Sequence, residues 1–173
     1  MCESPSGIAG ELARAIFDNS ARSVKTVSMV SALAILAGVC GLNWITYTNA
    51  GLNLYLVLVA KSGIGKEGIS DAISTLIKAT VKHGERYASS FFTFRAMASG
   101  PGLFKAVADA PYQCLLHVDG EFGHNVQFMA TNKNGSYATL RQQTTCLYTK
   151  SGPNSLAVQR LVRTIVRWRV PPA

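Results

Sequence analysis

Nine residues, Leu52 to Ala60 (Leu-Asn-Leu-Tyr-Leu-Val-Leu-Val-Ala), run straight into Lys61-Ser62-Gly63-Ile64-Gly65-Lys66-Glu67, and a helical pattern follows from Ile69 to His83. This order of segments constrains the chain more than any other feature. The first stretch is short, continuously apolar toward its end and preceded by the turn signal Asn49-Ala50-Gly51, the pattern of a buried parallel strand. In the third, Ile69, Ala72, Ile73, Leu76, Ile77 and Thr80 share one side at helical spacing. Strand, glycine loop, helix is the order that a phosphate-binding loop requires.

The loop chemistry agrees in part with that reading. The pattern G-x-x-x-x-G-K-[ST] aligns with Ala60 through Glu67, with Gly65 and Lys66 in place. Gly63 and Gly65 leave the backbone unencumbered, so its N–H groups can turn inward toward phosphate oxygens. A helix beginning near Lys66 adds the positive end of its dipole, and Lys66 reaches the β- and γ-phosphates. Ala60 replaces the first glycine and Glu67 replaces the hydroxyl residue that normally ligates magnesium. The Glu67 carboxylate either ligates magnesium itself or caps the helix.

A second element lies downstream. Leu115-Leu116-His117-Val118-Asp119-Gly120-Glu121 is an apolar strand, read from Tyr112 to Val118, that ends in two carboxylates. This is the form of a Walker B element, in which the aspartate holds magnesium and the glutamate orients the attacking water. Gly120 separates the pair, so Glu121 needs the turn there to aim at the same site. His117 reads as a core or sheet-face histidine and His124 as a loop histidine. No G-x-S-x-G elbow accompanies the serines, which leaves a hydrolase triad unsupported.

Elsewhere the periodicity predicts an amphipathic helix over Gly10 to Asn19, with Leu12, Ala15, Ile16 and Asn19 on one face. An uncharged apolar helix over Val27 to Leu42 follows, started by Ser23 or Thr26 and ended by Gly38 and Gly41. Its 16 residues fall short of the ~20 needed to span a membrane, which makes it a core helix. Ser90 to Phe94 reads as a second strand, Ser99-Gly100-Pro101-Gly102 as a break, and Leu103 to Asp109 and Thr139 to Tyr148 as helices. Leu156 to Trp168 is a basic amphipathic helix, with Arg160, Arg163 and Arg167 on one face.

Charge and cysteines bound the partners. The 173 residues carry 17 Lys+Arg against 9 Asp+Glu, a formal net charge of +8, and no acidic residue follows Glu121. A surplus of this kind attracts anions such as nucleotides and nucleic acid. Cys2, Cys40, Cys114 and Cys146 form no CxxC pair and no zinc spacing. With no signal peptide visible, they point to a reducing, cytoplasmic setting.

Leu54 through Glu67, followed by Val118-Asp119-Gly120-Glu121-Phe122-Gly123-His124, resembles a family of phage and prophage P-loop ATPases of the replication helicase or primase-helicase type. Glu11 to Leu42 matches the helical lead-in of that family, and Leu147 to Thr149 its helix after the acidic element. The resemblance covers roughly residues 7–152 and implies a RecA-like P-loop αβα core, ATP with magnesium, DNA as partner and a ring oligomer. By position it makes Lys66 the phosphate lysine and Glu121 the catalytic acid. Ser62, Gly63, Ile64, Gly65, Lys66, Glu67 and Gly68 become the nucleotide loop, and Asp119 and Glu67 the metal ligands. No strand pattern follows Ser151, so the expected division is a helical lead-in over 1–50, a partial core over 51–152 truncated at its C-terminus, and a basic tail over 153–173. Two other readings stay open: a basic nucleic-acid-binding module without ATPase activity, and a small membrane-associated protein using Val27 to Leu42.

Overall fold

The computed structural model describes residues 5–40, 44–48, 51–59, 68–82, 88–111, 114–120, 122–131 and 135–149. In chain order these form α1 (Ile8–Asn19), α2 (Lys25–Cys40), α3 (Gly68–Lys82), a 3-10 turn (Ala88–Phe91), β1 (Phe92–Thr93), α4 (Gly100–Asp109), β2 (Leu116–His117), α5 (Phe122–Thr131) and α6 (Ser136–Thr149).

One apolar cluster ties the first half of the chain to the two strands. Ala13 and Ile16 of α1, Ala32 and Ile35 of α2, and Ala72 and Ile73 of α3 form its buried centre. Ile69, Leu76, Ile77, Phe92, Leu116 and Val118 pack around it. On α3 the buried side is the one its 3.6-residue period predicts, while Asp71, Ser74, Thr75 and Lys78 stay exposed. On α1 the buried stripe is Gly10, Ala13 and Ile16 with Leu12 beside it, and Ala15 faces solvent. The end of α1 is closed by serines rather than by glycine. Ser20 Oγ donates to the Ile16 carbonyl (2.6 Å) and Ser23 Oγ to that of Phe17 (2.7 Å), two of the last carbonyls that a helix leaves without partners. Ser23 is thereby turned back toward α1, and Thr26 lies within α2.

Helix α2 touches α1, α3 and β2, which explains why a helix with almost no polar face is stable. Its buried Ser31 donates to the Val27 carbonyl at 2.7 Å, so the hydroxyl is satisfied locally. Gly38 lies inside this helix, not at its end. A Cβ there would sit 2.6 Å from Leu116 Cβ and 3.2 Å from the Leu116 backbone, so the glycine is what allows α2 to lie directly on β2. Among the described residues no helix is long and apolar enough to cross a membrane.

β1 and β2 are parallel, with Phe92 opposite Leu116 and Thr93 opposite His117, and α4 forms the crossover between them. The expected break at Ser99-Gly100-Pro101-Gly102 is the start of α4. Ser99 Oγ accepts from the Gly102 N–H at 3.2 Å, and proline stands in the first turn, where its missing N–H costs nothing. Removing this cap with Ser99→Ala is expected to lower stability by about 0.5–2 kcal/mol, whereas Ser99→Asp retains it. Urea unfolding of the two variants beside the parent checks this, and equal losses for both would show that the hydroxyl is no cap.

The expectation of a RecA-like αβα core is overturned. That core needs several parallel strands with helices on both faces. The described residues are mostly helical, and their sheet has two strands of two residues each. The decisive difference is at Leu52 to Val59, which forms no strand. Leu54 is 51% exposed, Val57 67% and Val59 90%. The segment is held by side chains against α6 instead. Asn53 Nδ2 donates to the Leu147 carbonyl and Tyr55 Oη to that of Thr144, both at 2.7 Å. Asn53 and Tyr55 thus tie the segment to α6, and the carbonyl taken by Asn53 is one that a helix C-terminus leaves unsatisfied.

Candidate nucleotide site

The expected phosphate loop is only partly in view. Ser62, Gly63, Ile64, Gly65, Lys66 and Glu67 lie outside the described residues, as does Glu121. The predicted basic helix Leu156 to Trp168 lies outside them too. Gly68 and Asp119 are described, and they mark the two ends from which a site would be built.

Gly68 is buried and is the first residue of α3, two positions beyond Lys66. A Cβ at Gly68 would meet Ser20 Oγ and Val27 Cγ1 at 3.7 Å, so the start of α3 is seated in the corner between α1 and α2. The first turn of an α-helix presents N–H groups without intrahelical partners and a partial positive charge. In sequence, Gly68 comes two residues after Lys66.

Asp119 is two residues past the end of β2. The Val118 N–H donates to the Thr93 carbonyl at 3.0 Å, which prolongs the parallel pairing up to the residue before it. Its carboxylate accepts a hydrogen bond from Asn125 Nδ2 on α5, the helix that opens at Phe122. The sequence reading missed this residue, because it placed His124 in a loop and assigned no helix over Phe122–Thr131, although Phe122, Val126 and Met129 recur there at helical spacing. His117 sits on the strand, half-buried, its Nε2 at 3.0 Å from the Arg95 carbonyl oxygen, a sheet-face role as expected. His124 lies in the first turn of α5 instead of in a loop.

Residues near both ends take part in one core. Ile69, Ala72 and Ile73, in the first turns of α3, and Val118, next to Asp119, belong to one cluster. The start of α3 and the end of β2 thus both border one core, while the Asp119 carboxylate itself is turned to Asn125 of α5. The arrangement does not supply the strand that should lead into the loop, because Leu52 to Val59 forms no strand and is tied to α6 at Asn53 and Tyr55. Among the described residues no three His, Cys, Asp or Glu side chains group closely enough to hold a metal ion. Comparison of the chain with protein-family models, curated proteins and solved structures gives no match.

Proposed function

We propose that the chain binds ATP with magnesium through the loop from Lys61 to Gly68, with Lys66 on the phosphates and Asp119 toward the metal. The observation that supports this reading is the start of α3 at Gly68, two positions after Lys66, on the core that Val118 shares. Two features of the chain fit the group. A helix of 15 residues offers its N-terminal N–H groups where a polyphosphate would leave the loop. Asp119 is a hard oxygen donor at a strand end, its carboxylate held by the Asn125 amide. Magnesium, when bound, screens the charge of the phosphate oxygens. The side chains do the rest: Lys66 binds, Asn125 orients Asp119, and Glu121 is the group to position a water if hydrolysis takes place. Ring assembly and unwinding belong to a RecA-like core, and the proposal stops at nucleotide binding.

The test is equilibrium binding of a fluorescent ATP analogue, with and without magnesium, to the parent protein and to Lys66→Ala. The parent is expected to bind more tightly with magnesium. Lys66→Ala is expected to weaken binding at least roughly thirtyfold, the ~2 kcal/mol lower end for removing one partner of a desolvated charge pair. Equal affinity in the two proteins would remove Lys66 from any phosphate site. Absence of binding in both would leave the basic surface as the basis of function.

A further inference from the structure

Two stacked aromatic pairs bracket an arginine along one side of α6. Tyr137, Arg141, Thr144 and Tyr148 follow one another at steps of four, three and four, which puts them on a single stripe of the helix. At one end Tyr137 stacks with Phe128 of α5, ring centroids 5.7 Å apart and planes 21° from parallel. At the other Tyr148 stacks with Tyr55, centroids 5.5 Å apart at 23°. The rings are not closed off by this packing: Phe128 is 50% exposed, Tyr148 57% and Tyr55 47%. Between the pairs Arg141 is exposed, with one guanidinium N–H directed to the Met129 carbonyl at 3.4 Å. The buried Leu140 lies about 100° around the helix from Arg141, so the stripe is not the core-facing side of α6.

We propose that this face of α5 and α6 binds single-stranded nucleic acid, bases stacking on the exposed rings and phosphates meeting Arg141. Charge complementarity selects a polyanion. Neither α5 nor α6 contains an aspartate or glutamate, and the whole chain carries +8. Aromatic rings select unpaired bases, because a duplex already stacks its bases on each other, while every free base has a π-face to offer. The length is right as well. Tyr137 and Tyr148 are 11 residues apart. At a rise of about 1.5 Å per residue this is ~16 Å, or roughly five nucleotides at the ~3.4 Å of a stacked strand. The face includes no residue of the Lys61 to Gly68 loop and not Asp119, so it stands or falls apart from nucleotide binding.

The experiment separates stacking from charge. Fluorescence anisotropy of the full chain, without ATP, is titrated against oligo-dT, oligo-rU and an abasic deoxyribose-phosphate strand, each of about 20 units. Base-bearing strands are expected to bind at least five-fold more tightly than the abasic strand, the lower end for loss of one base–aromatic stack. The deoxy and ribo titrations show which sugar the face accepts, and preference for either base-bearing strand over the abasic one supports the proposal. Phe128→Ala with Tyr148→Ala is expected to erase the difference, and Tyr148→Phe to keep it. Equal affinity of the parent for base-bearing and abasic strands overturns the proposal without recourse to any variant. A difference that survives in a folded double-alanine protein overturns it too.

Discussion

Ile73→Ala is expected to lower the free energy of unfolding by about 2–5 kcal/mol, the range for truncating a buried isoleucine. Ile73 is completely buried at the centre of the cluster that joins α1, α2, α3 and both strands. Three of its companions there, Ala13, Ala32 and Ala72, are too short to reach into the space left behind, which favours the upper half of that range. Domains of ordinary stability have about 5–15 kcal/mol in all, so the loss is a large share of the total. Ile73→Val, which removes one methylene, should cost only ~0.5–1.5 kcal/mol. Urea denaturation followed by circular dichroism measures both. An Ile73→Ala midpoint close to that of the valine variant would show that the cluster is not the cooperative core described above. The same variant bears on the nucleotide proposal, since Ile73 lies in the second turn of the helix that starts at Gly68.

Gly38→Ala is expected to destabilise despite a helix preference that runs the other way. Alanine in place of glycine inside a helix contributes about 1 kcal/mol of stability on propensity alone. Here the new methyl would be 2.6 Å from Leu116 Cβ, and neither that atom nor the adjacent backbone at 3.2 Å can swing aside. Overpacking of this kind costs about 1–3 kcal/mol, so the net loss is up to ~2 kcal/mol, and Gly38→Val should lose more. Truncating Leu116 to alanine keeps its Cβ and therefore should not rescue Gly38→Ala. Thermal unfolding of the single and double variants tests this. A Gly38→Ala protein more stable than the parent would mean that α2 and β2 are farther apart than described. Because Asp119 follows β2 closely, the displacement should also weaken the magnesium-dependent part of ATP-analogue binding.

What the sequence makes legible depends on whether a residue's environment is written in its own period. α3 was readable to the residue because Ile69, Ala72, Ile73, Leu76, Ile77 and Thr80 alternate with polar positions on the opposite side. α2 was readable as a helix but not in its packing, since an almost uniformly apolar segment does not say which side meets which neighbour. Gly38 shows the same limit: glycine that ends a helix and glycine that lets a strand come close look alike in one sequence. Leu52 to Val59 departs from the expected strand because apolar composition records a preference for burial and not the partner that supplies it. The overlooked signal was the polar handles at Asn53 and Tyr55, two residues apart, which bond the α6 carbonyls. Burial pushes the Tyr55 phenol up from its ordinary pKa while Asn53 draws it down, in keeping with a ring partly packed and partly wet. Of the site, the carboxylate at Asp119 is legible as the end of an apolar run, whereas Asn125 is not, because an amide beside the short spaced set Phe122, Val126 and Met129 carries no mark of the carboxylate it bonds.

The segment from Leu54 to Val59 carries one further consequence. It has six successive apolar residues with no charge, proline or glycine, and among the described residues its backbone has no ladder partner. An extended stretch of that composition with unpaired N–H and C=O groups is a template on which identical segments of other molecules can add, edge to edge. The +8 charge holds molecules apart at low ionic strength, and salt removes that repulsion. Shelf life in solution thus becomes a matter of concentration and salt together, and a lysine placed at Val57, exposed on that edge, would be the gatekeeper that the natural sequence omits.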